Sequence, residues 1–390
     1  MAIIMSHKKK LFNTKVIHSG HKEDTETGAV MPPIHLSSTF KQKSPGNFKY
    51  EYGRTNNPTR EILEKLLAEI EEGKFAFAFS SGMAAINTLT DALNKDFHVI
   101  CSDDVYGGTR RIFDKIKKIN QNIEITYTDF TKEDNWPGLI KENTKMIWLE
   151  TPSNPLLKLV DIKKIKNEIT KDNIKIVCDN TFASPYNQQP LILGADVVLH
   201  SSTKYLGGHS DVIGGALIIK DDNSLAEKIK YLQNAVGSVP SPFDCYMLIR
   251  SIKTLAVRME NHISNAKIIS QCLNSHDKVT NVRYPGLKTD PNHEIAKLQM
   301  SGFGGIMSIE LNTNLSGTIK FLENIKLFTL AESLGGVESL IEHPAIMTHA
   351  SIDKATRVEL GISDSLIRLS IGIEDSEDLK NALVDALSLI

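Results

Sequence analysis

The chain has 390 residues, 41% hydrophobic and 24% charged, with a formal net charge of −2. Those proportions describe a soluble globular protein, and at roughly 100–200 residues per domain they predict two or three domains. No basic excess offers a surface for nucleic acid, and no stretch approaches the ~20 apolar residues that a membrane span needs.

The N-terminus carries too short an apolar run for a signal peptide, and the Lys8-Lys9-Lys10 run reads as a solvated terminus. Residues 1–50 show no helical periodicity and are rich in Gly, Pro, Ser and Thr from Thr25 to Gly46, which predicts an irregular arm. Asn57-Pro58-Thr59 then opens a helix to about Glu72, with an apolar stripe at Ile62, Leu63, Leu66, Leu67 and Ile70. Gly73 ends it.

Seven strands are predicted next: Phe75–Phe79, Val99–Cys101, Ile123–Thr126, Met146–Glu150, Lys175–Asp179, Val197–His200 and Ala216–Lys220. Helical patterns separate most of them, so the region reads as α/β with a mainly parallel sheet. A glycine-containing loop joins the last pair, so that connection differs from the others. From about Ser241 the pattern changes. A long helix is predicted from Phe243 to Leu273, then strands at Val279–Tyr284, Gly305–Leu311, Leu327–Ala331 and Leu366–Ser370, with helices at Gly317–Ile325 and Ser376–Leu387. This is a smaller C-terminal α+β domain.

Cys101, Cys178, Cys245 and Cys272 are far apart, which argues against a zinc site and against a disulfide framework and fits a reducing, cytoplasmic setting. No metal is expected. Cys101 and Cys178 lie in apolar runs and read as buried small hydrophobes. The dinucleotide fingerprint, the phosphate-binding loop, the nucleophile elbow and the zinc-protease motif are all absent.

Five features carry chemistry. Ser80-Ser81-Gly82-Met83-Ala84-Ala85 follows a strand and opens a helix, where free N–H groups and the helix dipole attract an anion. An ordinary turn with a serine N-cap has the same pattern. Val177-Cys178-Asp179-Asn180-Thr181 ends an apolar strand in a carboxylate that could pair with a pyridinium nitrogen or cap the next turn. Leu199-His200-Ser201-Ser202-Thr203-Lys204-Tyr205 ends another strand with hydroxyls and a lysine able to form a Schiff base once deprotonated. Tyr106, in Asp103-Asp104-Val105-Tyr106-Gly107-Gly108-Thr109, could stack on a flat ring. Arg368 interrupts the strand Leu366–Ser370, where it either faces solvent or receives a carboxylate. The order of phosphate turn, Asp179 and Lys204, each at a strand's end, points to pyridoxal 5'-phosphate.

These residues resemble the Cys/Met-metabolism family of pyridoxal-phosphate enzymes from about Thr14 to the C-terminus. The resemblance is carried by Tyr50-Glu51-Tyr52-Gly53-Arg54-Thr55-Asn56-Asn57-Pro58-Thr59-Arg60, by the Tyr106 segment, and by Glu150-Thr151-Pro152-Ser153-Asn154-Pro155. Ser238–Tyr246, Ala331-Glu332-Ser333-Leu334-Gly335-Gly336 and Pro344-Ala345-Ile346-Met347-Thr348-His349 add to it.

The resemblance implies fold type I, the aspartate-aminotransferase-like fold. That fold has a mainly parallel seven-stranded sheet with helices on both faces, plus the smaller C-terminal domain. It implies an arm over 1–55 that contributes to a neighbouring subunit's site, a cofactor domain over 56–240 and the α+β domain over 241–390. Lys204 would bond the cofactor and shuttle protons, Asp179 would pair with the ring nitrogen, and Tyr106 would stack on the ring. Gly82, Met83, Thr181, Ser201 and Thr203 would belong to the cofactor site, with Tyr52 and Arg54 arriving from another subunit. Asn154, Ser333 and Arg368 would bind the substrate α-carboxylate, and Glu332 would lie near its distal end. A homotetramer, built as a dimer of dimers, follows from the same resemblance.

The implied reaction is γ-elimination of L-cystathionine to L-cysteine, 2-oxobutyrate and ammonia. The alternative is γ-replacement, joining an O-acylhomoserine to cysteine. Methionine γ-lyase chemistry is disfavoured because Tyr106-Gly107-Gly108 lacks the cysteine typical of it. Cystathionine β-lyase chemistry is disfavoured by the Ala331–Gly336 pattern. A non-catalytic scaffold on the same fold is opposed by the intact Lys204, Asp179, Tyr106 and Arg368, and a nicotinamide oxidoreductase by the missing glycine fingerprint.

Overall fold

A computed structural model of the chain describes residues 10–21, 23–132, 136–350 and 354–390. Met1–His7 and the Lys8-Lys9 part of the basic run lie outside the described residues. The large sheet comprises β1 (Phe75–Phe79), β2 (His98–Ser102), β3 (Glu124–Thr128), β4 (Thr144–Glu150), β5 (Lys175–Asp179), β6 (Val197–His200) and β7 (Gly215–Ile219). Their order is β1-β7-β6-β5-β4-β2-β3. Pairs β6–β5, β5–β4, β4–β2 and β2–β3 are parallel, and β7 runs antiparallel to both β6 and β1. The glycine-containing loop before β7 replaces a helical crossover, and a strand entered that way reverses direction.

The central strands are almost wholly apolar because both faces are covered. Successive residues alternate between two cores, as the two-residue strand period requires. Ile100, Ile147, Cys178 and Val198 pack on one face with Leu63, Leu66 and Leu67 of the helix Pro58–Ile70. Val99, Cys101, Trp148, Val177 and Leu199 pack on the other, with Ile86 and Leu89 of the helix Gly82–Ala92. Cys101 and Cys178 are fully buried in these cores, and all four cysteines are free.

The second sheet comprises β8 (Val279–Arg283), β9 (Ile306–Leu311), β10 (Thr329–Leu330), β11 (Leu340–Glu342) and β12 (Leu366–Ser370), ordered β10-β11-β12-β9-β8. Its Ile309, Ile367 and Leu369 pack with Ile269 and Leu383 of the helices Leu255–Asn274 and Ser376–Leu387. By alternation, Arg368 points to the opposite face, toward the large sheet. Ser308 beside it donates to the Pro155 carbonyl at 2.7 Å, tying the two sheets together.

Four expectations are corrected. The N-terminal arm is not irregular throughout, because Phe12–His18 is helical, with Val16 buried in the main core and Phe12 edge-on to Tyr186. One apolar residue per turn was too weak a period to detect. The helix expected over Phe243–Leu273 is two helices, Pro242–Ile252 and Leu255–Asn274. The Ser251 carbonyl accepts from Thr254 N–H, Thr254 Oγ1 and Arg258 Nη2, and this tightened turn ends the first helix. The strand expected over Leu327–Ala331 shrinks to Thr329–Leu330 at the sheet edge, and β11, only three residues long, was not expected.

Asn57 starts its helix by accepting from Thr59 N–H at 2.9 Å and Arg60 N–H at 3.3 Å, while its Nδ2 donates to the His35 carbonyl at 2.8 Å. Asn57→Ala removes an N-cap and the tie to the arm together, and should cost about 1–2 kcal/mol. Chemical denaturation reads this directly, and an unchanged midpoint would contradict it.

Candidate active site

The ends of β4, β5 and β6, the start of the helix Gly82–Ala92 and one face of the second sheet enclose a cavity of about 370 Å³. Its lining includes Gly82, Met83, Tyr106, Asn154, Asp179, Thr181, Ser201, Thr203, Lys204, Glu332, Ser333 and Arg368. These twelve expected site residues, drawn from positions 82 to 368, therefore meet in one place. Parallel strands deliver their carboxyl ends to one edge of the sheet, and ligands of open α/β sheets bind there.

On the helix side, Ser81 caps Gly82–Ala92 by accepting from Ala84 N–H at 3.1 Å. A Cβ on Gly82 would come within 3.2 Å of Ser201 Cβ, so the glycine keeps open a narrow cradle between the helix start and the Ser201 loop. Thr181 Oγ1 donates to Asp179 Oδ1 at 2.5 Å and accepts from Ser201 N–H at 2.9 Å, fixing the carboxylate and the loop to each other.

Asp179 is paired in register with Glu150 on the neighbouring strand, and alternation turns both to the same face. Burial raises the Asp179 carboxyl above its ordinary range. Burial first, and the Asp179 charge second, push Glu150 up as well. Glu150 accepts from Tyr106 N–H at 2.8 Å, so it also sets the entry of the tyrosine loop.

Lys204 Nζ donates to Ser333 Oγ at 2.5 Å. Desolvation, then the positive charge of Arg368, lower its amine to about 8. Ser333 has φ +96°, a left-handed conformation that a non-glycine residue rarely adopts. That turn lets one residue face both ways: its carbonyl accepts from Arg368 Nη2 at 2.6 Å while its hydroxyl meets Lys204.

Arg368 is 3% exposed, so the inward reading of this residue holds. Its Nη1 donates to Asn154 Oδ1 at 2.9 Å and pairs with Glu342 Oε1 at 2.9 Å. Its Nε has no partner among the described residues. A planar donor with one unspent edge suits a carboxylate.

Tyr106 is half-exposed at the cavity mouth, and its hydroxyl is held protonated by burial, with Glu332 and Glu150 acting in the same sense and Arg111 opposing. Tyr52 and Arg54 do not line this cavity. Arg54 Nη1 donates to the Asn234 carbonyl at 2.5 Å, and its guanidinium lies 5.6 Å from the Tyr52 ring.

Four residues at or behind the site were not anticipated. Glu150 ends an apolar strand just as Asp179 does, so the same sequence signal marked it. Glu342 lies on the unexpected β11. The buried His200–Glu71 pair sits on the far face of the sheet behind Asp179, and joining residues 129 positions apart leaves no local pattern.

A lysine of lowered basicity, a buried carboxylate with no ion pair among the described residues and a helix-start cradle beside it fit pyridoxal phosphate. Lys204 can offer a neutral amine, Asp179 would gain its counter-charge from a protonated ring nitrogen, and the Gly82 turn leaves a cradle for a phosphate. Fold and site thus define a pyridoxal-phosphate-dependent enzyme of fold type I. The family model described as Cys/Met metabolism PLP-dependent enzyme matches residues 13–388, and the chain belongs to that family. It is 53% identical to a cystathionine beta-lyase of Coxiella burnetii over 98% of this chain and 99% of that one. It is 50% identical to a cystathionine gamma-lyase of Dictyostelium discoideum over 96% and 97%. The structure of a cystathionine gamma-synthase from Xanthomonas oryzae pv. oryzae, in complex with aminoacrylate and cysteine, superposes with TM-score 0.94 at 42% identity, covering 98% of both chains.

In cofactor-free protein, the Lys204 amine should titrate near about 8. Ordinary lysines titrate at about 10.4. The pH dependence of its modification by a small acylating reagent, followed by peptide mass analysis, gives the midpoint. A midpoint matching the surface lysines would contradict the desolvated setting.

Proposed function

We propose that the enzyme carries out γ-elimination of L-cystathionine, yielding L-cysteine, 2-oxobutyrate and ammonia. The observation that supports this most is the pairing of opposite functions in one cavity. Arg368 offers a free guanidinium edge to an amino-acid carboxylate, while Glu332 lies exposed at the mouth and acts electrostatically on both Tyr106 and Lys204. A substrate with a second ammonium group at its far end suits that arrangement.

When bound, pyridoxal phosphate supplies an electron sink that acidifies the Cα–H of an attached amino acid. In this reading, Lys204 Nζ takes the Cα proton and later relays protons within the cavity. Asp179, steadied by Thr181, would hold the ring-nitrogen proton in place. The N–H groups of Gly82 and Met83 and the hydroxyls of Ser201 and Thr203 would hold the phosphate, and Tyr106 would lie against the ring. Tyr106 Oη or Lys204 Nζ delivers a proton to the sulfur leaving Cγ. Asn154 and Ser333 orient Arg368 for the α-carboxylate.

Tyr52 and Arg54 complete the phosphate site of a neighbouring subunit from the arm over 1–55, whose helix Phe12–His18 anchors it at home. The cofactor domain over 56–240 and the α+β domain over 241–390 would together frame the site in a cytoplasmic homotetramer. Methionine γ-lyase chemistry fits less well, since position 108, beside the Tyr106 ring, is a glycine and not the cysteine typical of those enzymes.

Gamma-synthase and β-lyase activities use the same lysine and are separated by products. Cystathionine alone should yield 2-oxobutyrate and cysteine. Pyruvate and homocysteine would instead identify a β-lyase. Rapid condensation of O-succinylhomoserine with cysteine, with negligible cystathionine cleavage, would identify the synthase. Glu332→Ala should raise KM for cystathionine about 10- to 100-fold, the loss of one charged hydrogen bond, and should spare substrates lacking a distal ammonium. Equal effects on both substrate types would refute that role.

A further inference from the structure

Arg368 has an inner and an outer edge. The inner edge is occupied: Nη1 serves Asn154 Oδ1 and Glu342 Oε1, each at 2.9 Å, and Nη2 serves the Ser333 carbonyl. The outer edge, with Nε unpartnered, is left for a ligand. Glu342 and Arg368 are partners in register on β11 and β12, so the pair is built into the sheet.

A substrate carboxylate arriving on the outer edge places two carboxylates on one guanidinium. Both are shielded from water, where charges interact strongly, and one cation balances only one of them. The other groups facing Glu342 offer no relief. Thr348 Oγ1 donates to Glu342 Oε1 at 3.0 Å but is neutral. Thr348 also meets His349 Nδ1 at 2.9 Å, and burial and Arg368 hold that imidazole neutral, at about 4. Glu332 adds a further negative charge, and Lys204 is the residue the reaction needs as a neutral base. Glu342 Oε2, meanwhile, is buried and has no hydrogen-bond partner among the described residues.

We propose that Glu342 is a positioning residue for the substrate: one of its oxygens fixes Arg368, and the other takes up a proton from water when a carboxylate docks on the guanidinium's free edge. The assignment rests on Arg368 being the carboxylate site. Burial already holds the Glu342 carboxyl above its usual range, with Arg368 opposing, so a second carboxylate on Arg368 acts in the direction that burial has started. Docking is thereby neutral in charge, and the hold on the carboxylate weakens as pH rises and the proton is withdrawn.

The test uses the cofactor-loaded enzyme and propionate, a carboxylate with no amino group to react. Calorimetry in two buffers of different ionisation enthalpy counts the protons taken up at neutral pH. The wild type should take up about one per propionate bound, with affinity falling as pH rises. Glu342→Gln keeps the accepting oxygen but cannot titrate. It should take up none, bind propionate independently of pH in that range and retain the visible cofactor band. Equal uptake in this variant, or none in the wild type, overturns the role of Glu342, and the wild-type count stands even if the variant misfolds. Arg368→Met separates the two readings. Propionate bound equally well by this variant, or not bound by the wild type at all, overturns the Arg368 assignment itself.

Discussion

Lys204 lies largely withdrawn from water at the seam of two sheets, and the group that holds its amine is a hydroxyl and not a counter-ion. The charge that acts on it most strongly, Arg368, is of the same sign and lowers its basicity further. An ammonium in that place has lost hydration, and the charges of Glu342 and Glu332 only partly offset that loss, so the amine sheds its proton readily. The rest of the cavity is arranged around this condition. Ser333 is turned left-handed to meet the amine, its carbonyl restrains Arg368, and Arg368 is restrained again by Glu342 from the next strand. Removing one member of such a buried ion pair typically costs about 3–5 kcal/mol, because the other is left uncompensated.

The large domain was legible because its strands are written twice, as apolar runs and as the polar residues that stop them. The ends of β4, β5 and β6 are Glu150, Asp179 and His200, each abrupt after an apolar run. The two-residue period then settles which share a face: Glu150 and Asp179 turn to the cavity, His200 to Glu71 on the other side. Helix starts were legible for the same reason, since Asn57 and Ser81 are residues that cap.

Other features were hidden for identifiable reasons. The sense of Arg368 was undecided in its own strand, because an apolar strand with one arginine reads alike whichever face is buried. Neighbours distant in sequence, Asn154 and Glu342, settle it. The three residues of β11 are too few for any period to register. In Phe12–His18, burial comes from tertiary contact with little local pattern behind it. The break between Ile252 and Leu255 depends on Arg258, whose guanidinium reaches back to carbonyls that no periodic rule considers.

Arg60 has a consequence for assembly. Its guanidinium accounts for three successive backbone carbonyls, those of Gly53, Arg54 and Thr55, while its own side chain is buried in the first turn of its helix. The segment that carries Tyr52 and Arg54 is therefore shaped within its own chain. Ordering a loop at the moment of association slows encounter and weakens the complex. Here that ordering is completed during folding, so in the proposed assembly a surface receiving Tyr52 and Arg54 would meet a preformed template, and recognition between chains would be a matter of fit more than of induced structure.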